Sequence, residues 1–517
     1  MKKRQTWIVD FGSQYTQLIT RKSRELGFSA QIYTLEQVKE LFGKGFYPNS
    51  LILSGGPKSV FEDLNDYSFI FEREDLPILG ICYGMQLIGK YFGGEVEKGV
   101  TGEYGHAKIH MRPPFKIEAC PMEINVWMSH SDHLAKAPAD FHIAMESSNG
   151  FIGAIKHNTR PIMGLQFHPE VEHTDHGPDV LNYFYTQVAK LDKDWTSSTM
   201  LEEAIEMMET IKGKYILCAF SGGVDSLVAA TLAHKVHGDR VKCFFVDTGL
   251  LRPQDYHHIN MLKEKTDLSI EIVDAKDQFL DKLYQVTDPE EKRKIIGRTF
   301  IEIFEEKVHK FETEQGIHFE YLLQGTLYPD VIESMSPHGD TGKSDTIKSH
   351  HNVGGLPERM KLKLLEPLRL LFKDEVREIG KELGLPESWI YRHPFPGPGI
   401  AIRVLGKLSP EAIKTVQDSD QILFEELNSH NLYNNTWQAF TVLLPVKTVG
   451  VKGDARAYEN VLSLRMVDSS DGMTAKWSKL PYEFLEKVSC RITNEVKGVT
   501  RVVYDITSKP PGTIEWE

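Results

Sequence analysis

Ile78-Leu79-Gly80-Ile81-Cys82-Tyr83-Gly84-Met85-Gln86-Leu87-Ile88-Gly89-Lys90-Tyr91 changes period part-way along. Its first residues form a short apolar run, read as a buried strand. Met85–Tyr91 reads as a helix. Gly-x-Cys-x-Gly lies between them, and a strand passing into a helix through so sharp a bend lifts the middle side chain above the sheet edge. The glycines are needed there because a Cβ would collide with the neighbouring strand or helix. Trp7-Ile8-Val9, Leu51-Ile52-Leu53 and Ile162-Met163-Gly164-Leu165 are further apolar runs bounded by Gly, Pro, Asn or Asp. Short buried strands alternating with amphipathic segments predict an α/β layer sheet for this part of the chain.

The chain has 517 residues, with 60 Lys and Arg against 73 Asp and Glu and a net charge of −13. At 41% hydrophobic it has ample material for buried cores and too much for a disordered protein. The acidic balance argues against non-specific binding to nucleic acid or an anionic membrane. No apolar run is long enough to span a bilayer or serve as a signal peptide. The 5 scattered cysteines make no disulfide framework. These features predict a soluble, cytoplasmic, multidomain protein. The polar stretch Asp192–Ser198 reads as a linker. A second α/β rhythm follows, with strands at Tyr215–Phe220, Val241–Val246, Glu271–Val273 and Tyr321–Leu323. His393-Pro394-Phe395-Pro396-Gly397-Pro398-Gly399 tolerates neither helix nor central strand and marks another boundary. The expected domains are residues 1–191, 199–392 and 393–517. The last is α+β, with strands at Ala439–Leu444 and Val499–Asp505.

Two turns carry chemistry. Cys82 at a helix N-terminus is placed to ionise more readily than a free thiol, with adjacent N–H groups to receive an oxyanion; the alternative is a buried structural cysteine. Phe167-His168-Pro169-Glu170 supplies a partner. Proline keeps His168 extended, so His168 and Glu170 share a face and the carboxylate can orient the imidazole as a general base. The second turn is Ser221-Gly222-Gly223-Val224-Asp225-Ser226, joining strand Tyr215–Phe220 to a helix expected over Leu227–Val236. Its glycines let backbone approach phosphate oxygens at a helix N-terminus. Ser221, Asp225 and Ser226 are also good helix caps, which is the plainer reading. Asp247, ending strand Val241–Val246, lies where doubly wound sheets bind nucleotides.

Asp10-Phe11-Gly12-Ser13-Gln14-Tyr15, Ser54-Gly55-Gly56-Pro57, Gly80–Gly84 with Gln86, and Gln166–Glu170 resemble the class I, triad-type glutamine amidotransferases. That resemblance implies a flavodoxin-like α/β domain in which Cys82 attacks the glutamine amide, His168 shuttles protons and Glu170 orients His168. Gly56 and Tyr83 would offer the oxyanion-hole N–H groups. It also implies that Ser129-His130-Ser131-Asp132-His133 is sheet and loop, with no metal. The second turn resembles the SGGxDS loop of the ATP pyrophosphatases, a parallel-sheet fold of the adenine nucleotide α-hydrolase type. Ser221, Gly222, Gly223, Val224, Asp225, Ser226, Leu227 and Asp247 would then bind ATP, with Mg²⁺ bridging the phosphates.

Gly325–Ser334, Ile347–Asn352, Arg392–Gly399 and Lys509–Glu515 extend the resemblance over the whole chain, to the glutamine-hydrolysing GMP synthetase family. By matching positions, Asp330 and Glu333 would be near the metal-pyrophosphate or the base, and Lys348 on a lid over ATP. Arg298, Asp454, Lys509, Ile514 and Glu515 would contact XMP. The resemblance implies XMP, ATP and glutamine as substrates and a homodimer formed through the third domain. For Lys509 and Arg298, a solvated surface charge is the plainer alternative. Two rival readings stay open at this point: another acceptor, as in NAD or asparagine synthetases, or a non-catalytic nucleotide sensor on the same fold.

Overall fold

A computed structural model describes residues 5–99, 103–330, 362–452, 455–469 and 474–517. The chain divides into two compact units, Met1–Glu203 and Ala204–Glu517.

The first unit is built on a nine-stranded sheet. Its strands are β1 (Thr6–Val9), β2 (Ala30–Tyr33), β3 (Ser50–Leu53), β4 (Ile78–Ile81), β6 (Glu103–Met111), β7 (Glu123–His130), β9 (Phe141–Ser147), β10 (Ile152–His157) and β11 (Ile162–Leu165). Glu95–Glu97 (β5) and His133–Lys136 (β8) pair separately. The order is β2-β1-β3-β4-β11-β10-β9-β6-β7. The strands from β2 to β11 are parallel and the rest antiparallel. The sequence explains the division. β1, β3, β4 and β11 are apolar runs buried throughout, as strands covered on both faces require. β6 and β7 alternate buried with more exposed residues and leave one face to solvent. The chemistry-bearing turns expected after β4 and β11 therefore lie at the carboxyl ends of adjacent parallel strands.

The second unit contains a five-stranded parallel sheet. It is formed by β12 (Tyr215–Ala219), β13 (Val241–Asp247), β14 (Ser269–Asp274), β15 (Phe319–Leu323) and β16 (Lys363–Leu365), in the order β14-β13-β12-β15-β16. The strand order reverses between β12 and β15, which makes the crevice beyond their carboxyl ends the natural ligand position. A second sheet follows, of β17 (Gln438–Lys452), β18 (Ala455–Asp468), β19 (Lys476–Trp477) and β20 (Val499–Tyr504), with β20 parallel to β18. β17 runs well past the expected Leu444. Pro445 interrupts the ladder, and pairing resumes at Lys447 after a register shift.

The break expected at His393 is one of secondary structure but not of packing. His393–Pro398 is irregular, as the prolines require. Yet Ile400 donates its N–H to the Leu250 carbonyl at 2.9 Å. A single core runs from Leu217 and Phe244 through Ile400 and Val404 to Leu462 and Phe484. Buried ions tie down the last residues. Arg465, wholly buried, donates to the carbonyls of Thr507, Thr513 and Ile514. Arg403, equally buried, pairs with Glu515 at 2.9 Å and with Asp420 at 3.3 Å. Lys292 reaches Glu517 at 2.6 Å. Desolvated cations survive only with partners of this kind.

The glycines of the first bend pack as the sequence requires. A Cβ on Gly80 would lie 2.5 Å from the Gly84 backbone, and one on Gly84 would lie 2.3 Å from the Leu53 carbonyl oxygen. Gly84→Ala is expected to lower stability by about 2–4 kcal/mol through forced movement of main chain. Gly297→Ala, whose Cβ would meet nothing within 4 Å in helix Pro289–Gln315, should be neutral or stabilising by about 0.5–1 kcal/mol. Calorimetry of the two variants checks this; equal midpoints would refute the steric argument.

Candidate active sites

At the end of β4, Cys82 has φ 51° and ψ −104°, a left-handed conformation uncommon for a side chain with a Cβ. The bend is overdetermined by its surroundings. The Cys82 N–H donates to the Leu165 carbonyl at 2.7 Å, and that of Gly84 to the Ser54 carbonyl at 3.2 Å. Strain held this way is a feature of functional turns. The Cys82 side chain opens helix Tyr83–Tyr91 and is 5% exposed. Its thiol points at the Ser129 carbonyl, 3.7 Å away.

His168 and Glu170 follow β11 on one face, as the proline between them predicts. The His168 Nδ1 lies 2.7 Å from the Glu170 Oε1, and both side chains are buried. Burial opposes a charged imidazole, but the Glu170 carboxylate and the Cys82 sulfur more than reverse this, and the His168 pKa stands well above the ordinary histidine range. The ring is fixed from other sides. Tyr15 packs edge-on at 5.0 Å, and a Cβ on Gly55 would come within 3.1 Å of the imidazole. Gly56 lies against Phe11, where a Cβ would meet the carbonyl oxygen at 2.9 Å. The Phe11 ring in turn lies 5.1 Å from that of Tyr83. The Tyr83 hydroxyl donates to Asp63, which also accepts from Tyr67 at 2.6 Å. Asp63 is an anchor that the sequence reading missed, since nothing in its spacing marks it. Ser129–His133 runs from the end of β7 to the start of β8, and the Gln86 amide donates to the Asp132 carbonyl at 2.6 Å.

In the second unit the Ser221–Ser226 turn joins β12 to helix Val224–His237, which begins earlier than the expected Leu227. Gly222 has φ 74°, and a Cβ there would strike Ile259 at 2.2 Å. The capping alternative does not hold: the cap residue is Gly223, with no side-chain cap bond. Ser221 and Ser226 instead face each other, 3.0 Å between hydroxyl oxygens, and the Ser221 Oγ accepts from the Gly223 N–H at 3.3 Å. The N–H groups of Val224, Asp225 and Ser226 belong to the first turn, where a helix cannot satisfy them itself. Leu227, the expected first residue of the helix, lies past its first three residues. Its side chain is buried and its N–H donates to the Gly223 carbonyl at 2.9 Å.

Gly325, after β15, closes on this turn so tightly that a Cβ would lie 2.8 Å from the Asp225 main chain. Lys373, which sequence reasoning missed, comes within 3.4 Å of the Asp225 Oδ2, while Oδ1 is buried with no hydrogen-bond partner among the described residues. Asp247 ends β13 as expected. It is already engaged, with Lys276 at 3.1 Å, the Tyr256 hydroxyl at 2.8 Å and the Gly249 N–H at 3.0 Å.

The remaining expected residues are distributed unevenly. Arg298 lies on the exposed side of helix Pro289–Gln315, whose Lys292 holds Glu517. Lys509 exchanges backbone hydrogen bonds with Ala475, and Ile514 is buried. The Glu515 carboxylate is held by Arg403 and by the Gln438 amide at 2.8 Å. Asp330 accepts from the Leu327 N–H at 3.0 Å. Glu333, Lys348 and Asp454 lie outside the described residues.

Comparison with known proteins agrees with this arrangement. Residues 7–188 match the class-I glutamine amidotransferase family, 215–309 the phosphoadenosine phosphosulfate reductase domain and 425–516 the GMP synthase C terminal domain. The glutamine-hydrolysing GMP synthase of Thermosipho melanesiensis is 51% identical over 99% of this chain and 99% of its own. That of Chlorobaculum tepidum is 49% identical over 99% of this chain and 98% of its own. That of Aquifex aeolicus is 49% identical over the full length of both. Sharing about half of all positions with these relatives from end to end, the chain belongs to the glutamine-hydrolysing GMP synthases.

Proposed function

We propose that glutamine-dependent GMP synthesis by this chain divides between its two turns. Cys82 attacks the side-chain amide of glutamine, with His168 taking the thiol proton and returning it to the departing ammonia. Glu170 holds the imidazole so that its other nitrogen faces the sulfur. The N–H groups of Gly56 and Tyr83 receive the oxyanion of the tetrahedral intermediate. In the second unit, Ser221–Ser226 holds the β and γ phosphates of ATP while the C2 oxygen of XMP attacks the α phosphorus. Pyrophosphate leaves, and ammonia then displaces AMP to give GMP. The acceptor oxygen is a poor leaving group until it carries AMP, which is why pyrophosphate release and amination belong to one reaction. The His168–Glu170 contact beside a strained Cys82 is the observation that carries the first half of this reading.

Mg²⁺ fits the second turn. The buried Asp225 Oδ1, without a partner among the described residues, is an oxygen donor of the hard type this ion takes. Bound there with the phosphates, the ion would neutralise charge on the leaving pyrophosphate. Asp330 and Glu333 are further candidates on sequence grounds, and Lys348 is the proposed lid residue. Asp247 and Lys373 border the same turn. We assign Arg298, Asp454, Lys509, Ile514 and Glu515 to XMP. Because Arg403 and Gln438 already hold the Glu515 carboxylate, its contribution is to position the terminal segment, leaving main-chain groups for the ligand. The proposed working state is a cytoplasmic homodimer of three-domain chains, divided at 1–191, 199–392 and 393–517. Its interface is the β17–β18 hairpin, where Val449, Val451 and Tyr458 expose apolar surface.

Three measurements test this reading. Cys82→Ala is expected to lower glutamine-dependent GMP formation by about a thousandfold or more, while synthesis from ammonium salts persists. Loss of both would make Cys82 structural. Asp225→Ala should cost about a hundredfold with either nitrogen source, read as XMP-dependent AMP release; full activity would remove this turn from the ATP site. Val451→Lys should convert a dimer to a monomer in sedimentation velocity, and an unchanged sedimentation coefficient would refute the hairpin interface.

A further inference from the structure

We propose that Gln166 is a catalytic residue of the glutaminase half-reaction: its buried side-chain amide stabilises the Cys82 thiolate by donating an N–H to the sulfur. The proposal rests on Cys82 being the nucleophile.

Gln166 directly follows β11 and is wholly buried between Leu165 and Phe167, which are equally inaccessible. Its backbone N–H extends the sheet, donating to the Gly153 carbonyl at 2.9 Å. Its side-chain Nε2 lies 3.8 Å from the Cys82 Sγ, within hydrogen-bond range for sulfur. The Oε1 of the same amide is buried with no partner among the described residues. An apolar side chain would fill this place without leaving a carbonyl unsatisfied. Packing therefore gives no reason for an amide here, and the sulfur does.

Besides His168, the sulfur meets two polar groups of opposite kind. The Ser129 carbonyl accepts from the neutral thiol, whereas the Gln166 N–H donates to sulfur. When the S–H bond breaks, the proton forms an N–H bond on the imidazole nitrogen of His168 not facing Glu170. The electron pair stays on sulfur, giving a thiolate and an imidazolium. At that moment the Ser129 carbonyl dipole opposes the new charge and the Gln166 dipole favours it. In a buried site such a preset dipole acts with little solvent screening. The titratable groups facing this pair are His168 with Glu170 behind it, His130 at the end of β7 and Tyr15 against the imidazole. All of them remain when Gln166 is changed.

The test is alkylation of Cys82 by iodoacetamide in the full-length protein, followed across pH by peptide-resolved mass spectrometry so that the other cysteines do not contribute. Gln166→Leu is expected to slow alkylation at pH 7 by about tenfold, equivalent to raising the pH midpoint by about one unit. Glutaminase kcat should fall with it, the KM for glutamine should hold, and the melting temperature should stay the same or rise. Gln166→Asn keeps an amide but withdraws it by one methylene, and it decides the question if the leucine variant does not fold; it too should alkylate more slowly. Wild-type alkylation rate and pH midpoint in a folded variant would overturn the proposal. Alkylation reads the sulfur itself. An active Cys82→Ala enzyme would therefore refute the nucleophile assignment while leaving the amide–sulfur contact separately measurable.

Discussion

Contact between backbones at the carboxyl ends of parallel strands governs both sites. Where β4 gives way to its helix, Gly84 approaches the Leu53 carbonyl so closely that any side chain would displace main chain. Where β12 gives way to its helix, Gly325 does the same to Asp225. Such contacts fix the bends to a few tenths of an ångström, because neither partner is a flexible side chain that could yield. The first holds Cys82 in a conformation it would not choose alone, and the second holds the free N–H groups of a helix start in a narrow crevice. Burial of β4 and β12 between layers makes this rigidity available, since strands covered on both faces have little freedom to shift register.

Charge is managed in a complementary way. Hydrophobic area alone explains the core that runs through the second unit, but it does not explain Arg403 and Arg465 at zero exposure. Each is surrounded by acceptors contributed by the last residues of the chain. Removing either partner would leave an unpaired buried charge, so the terminal segment is bound by a penalty for leaving as much as by attraction. That fixes Ile514 and Glu515 in place, whereas the last residues of a chain ordinarily fray.

Much of this was legible in the sequence because it depended on local steric rules. Apolar runs gave the buried strands. Gly-x-Cys-x-Gly and the paired glycines at Gly222 announced close backbone approach, and proline between His168 and Glu170 predicted their shared face. What was not legible depended on residues brought together from afar. Lys373 reaches Asp225 across a long stretch of chain. Asp63 anchors the Tyr83 hydroxyl from a loop of unremarkable composition, and Gln166 meets Cys82 only because β4 and β11 are neighbours. The stretch at His393 shows the same limit: proline and glycine report where hydrogen-bonded ladders stop, and they say nothing about which core the following Ile400 will enter.

The two turns are one architectural device put to two uses, and the residue at the bend decides which. Both are strand, left-handed bend and helix start at the carboxyl edge of a parallel sheet. At Cys82 the bend carries a side chain despite the strain, so the group held at the helix start is a sulfur, the one we propose as nucleophile. At Gly222 the bend carries none, because Ile259 occupies the place a Cβ would take, and what the turn offers is the main chain of the helix start. Any side chain at Gly222 would strike Ile259, whereas a glycine at Cys82 would relax the bend and remove the thiol. The two turns therefore differ in whether backbone strain is borne to hold a side chain at the bend or avoided by a glycine.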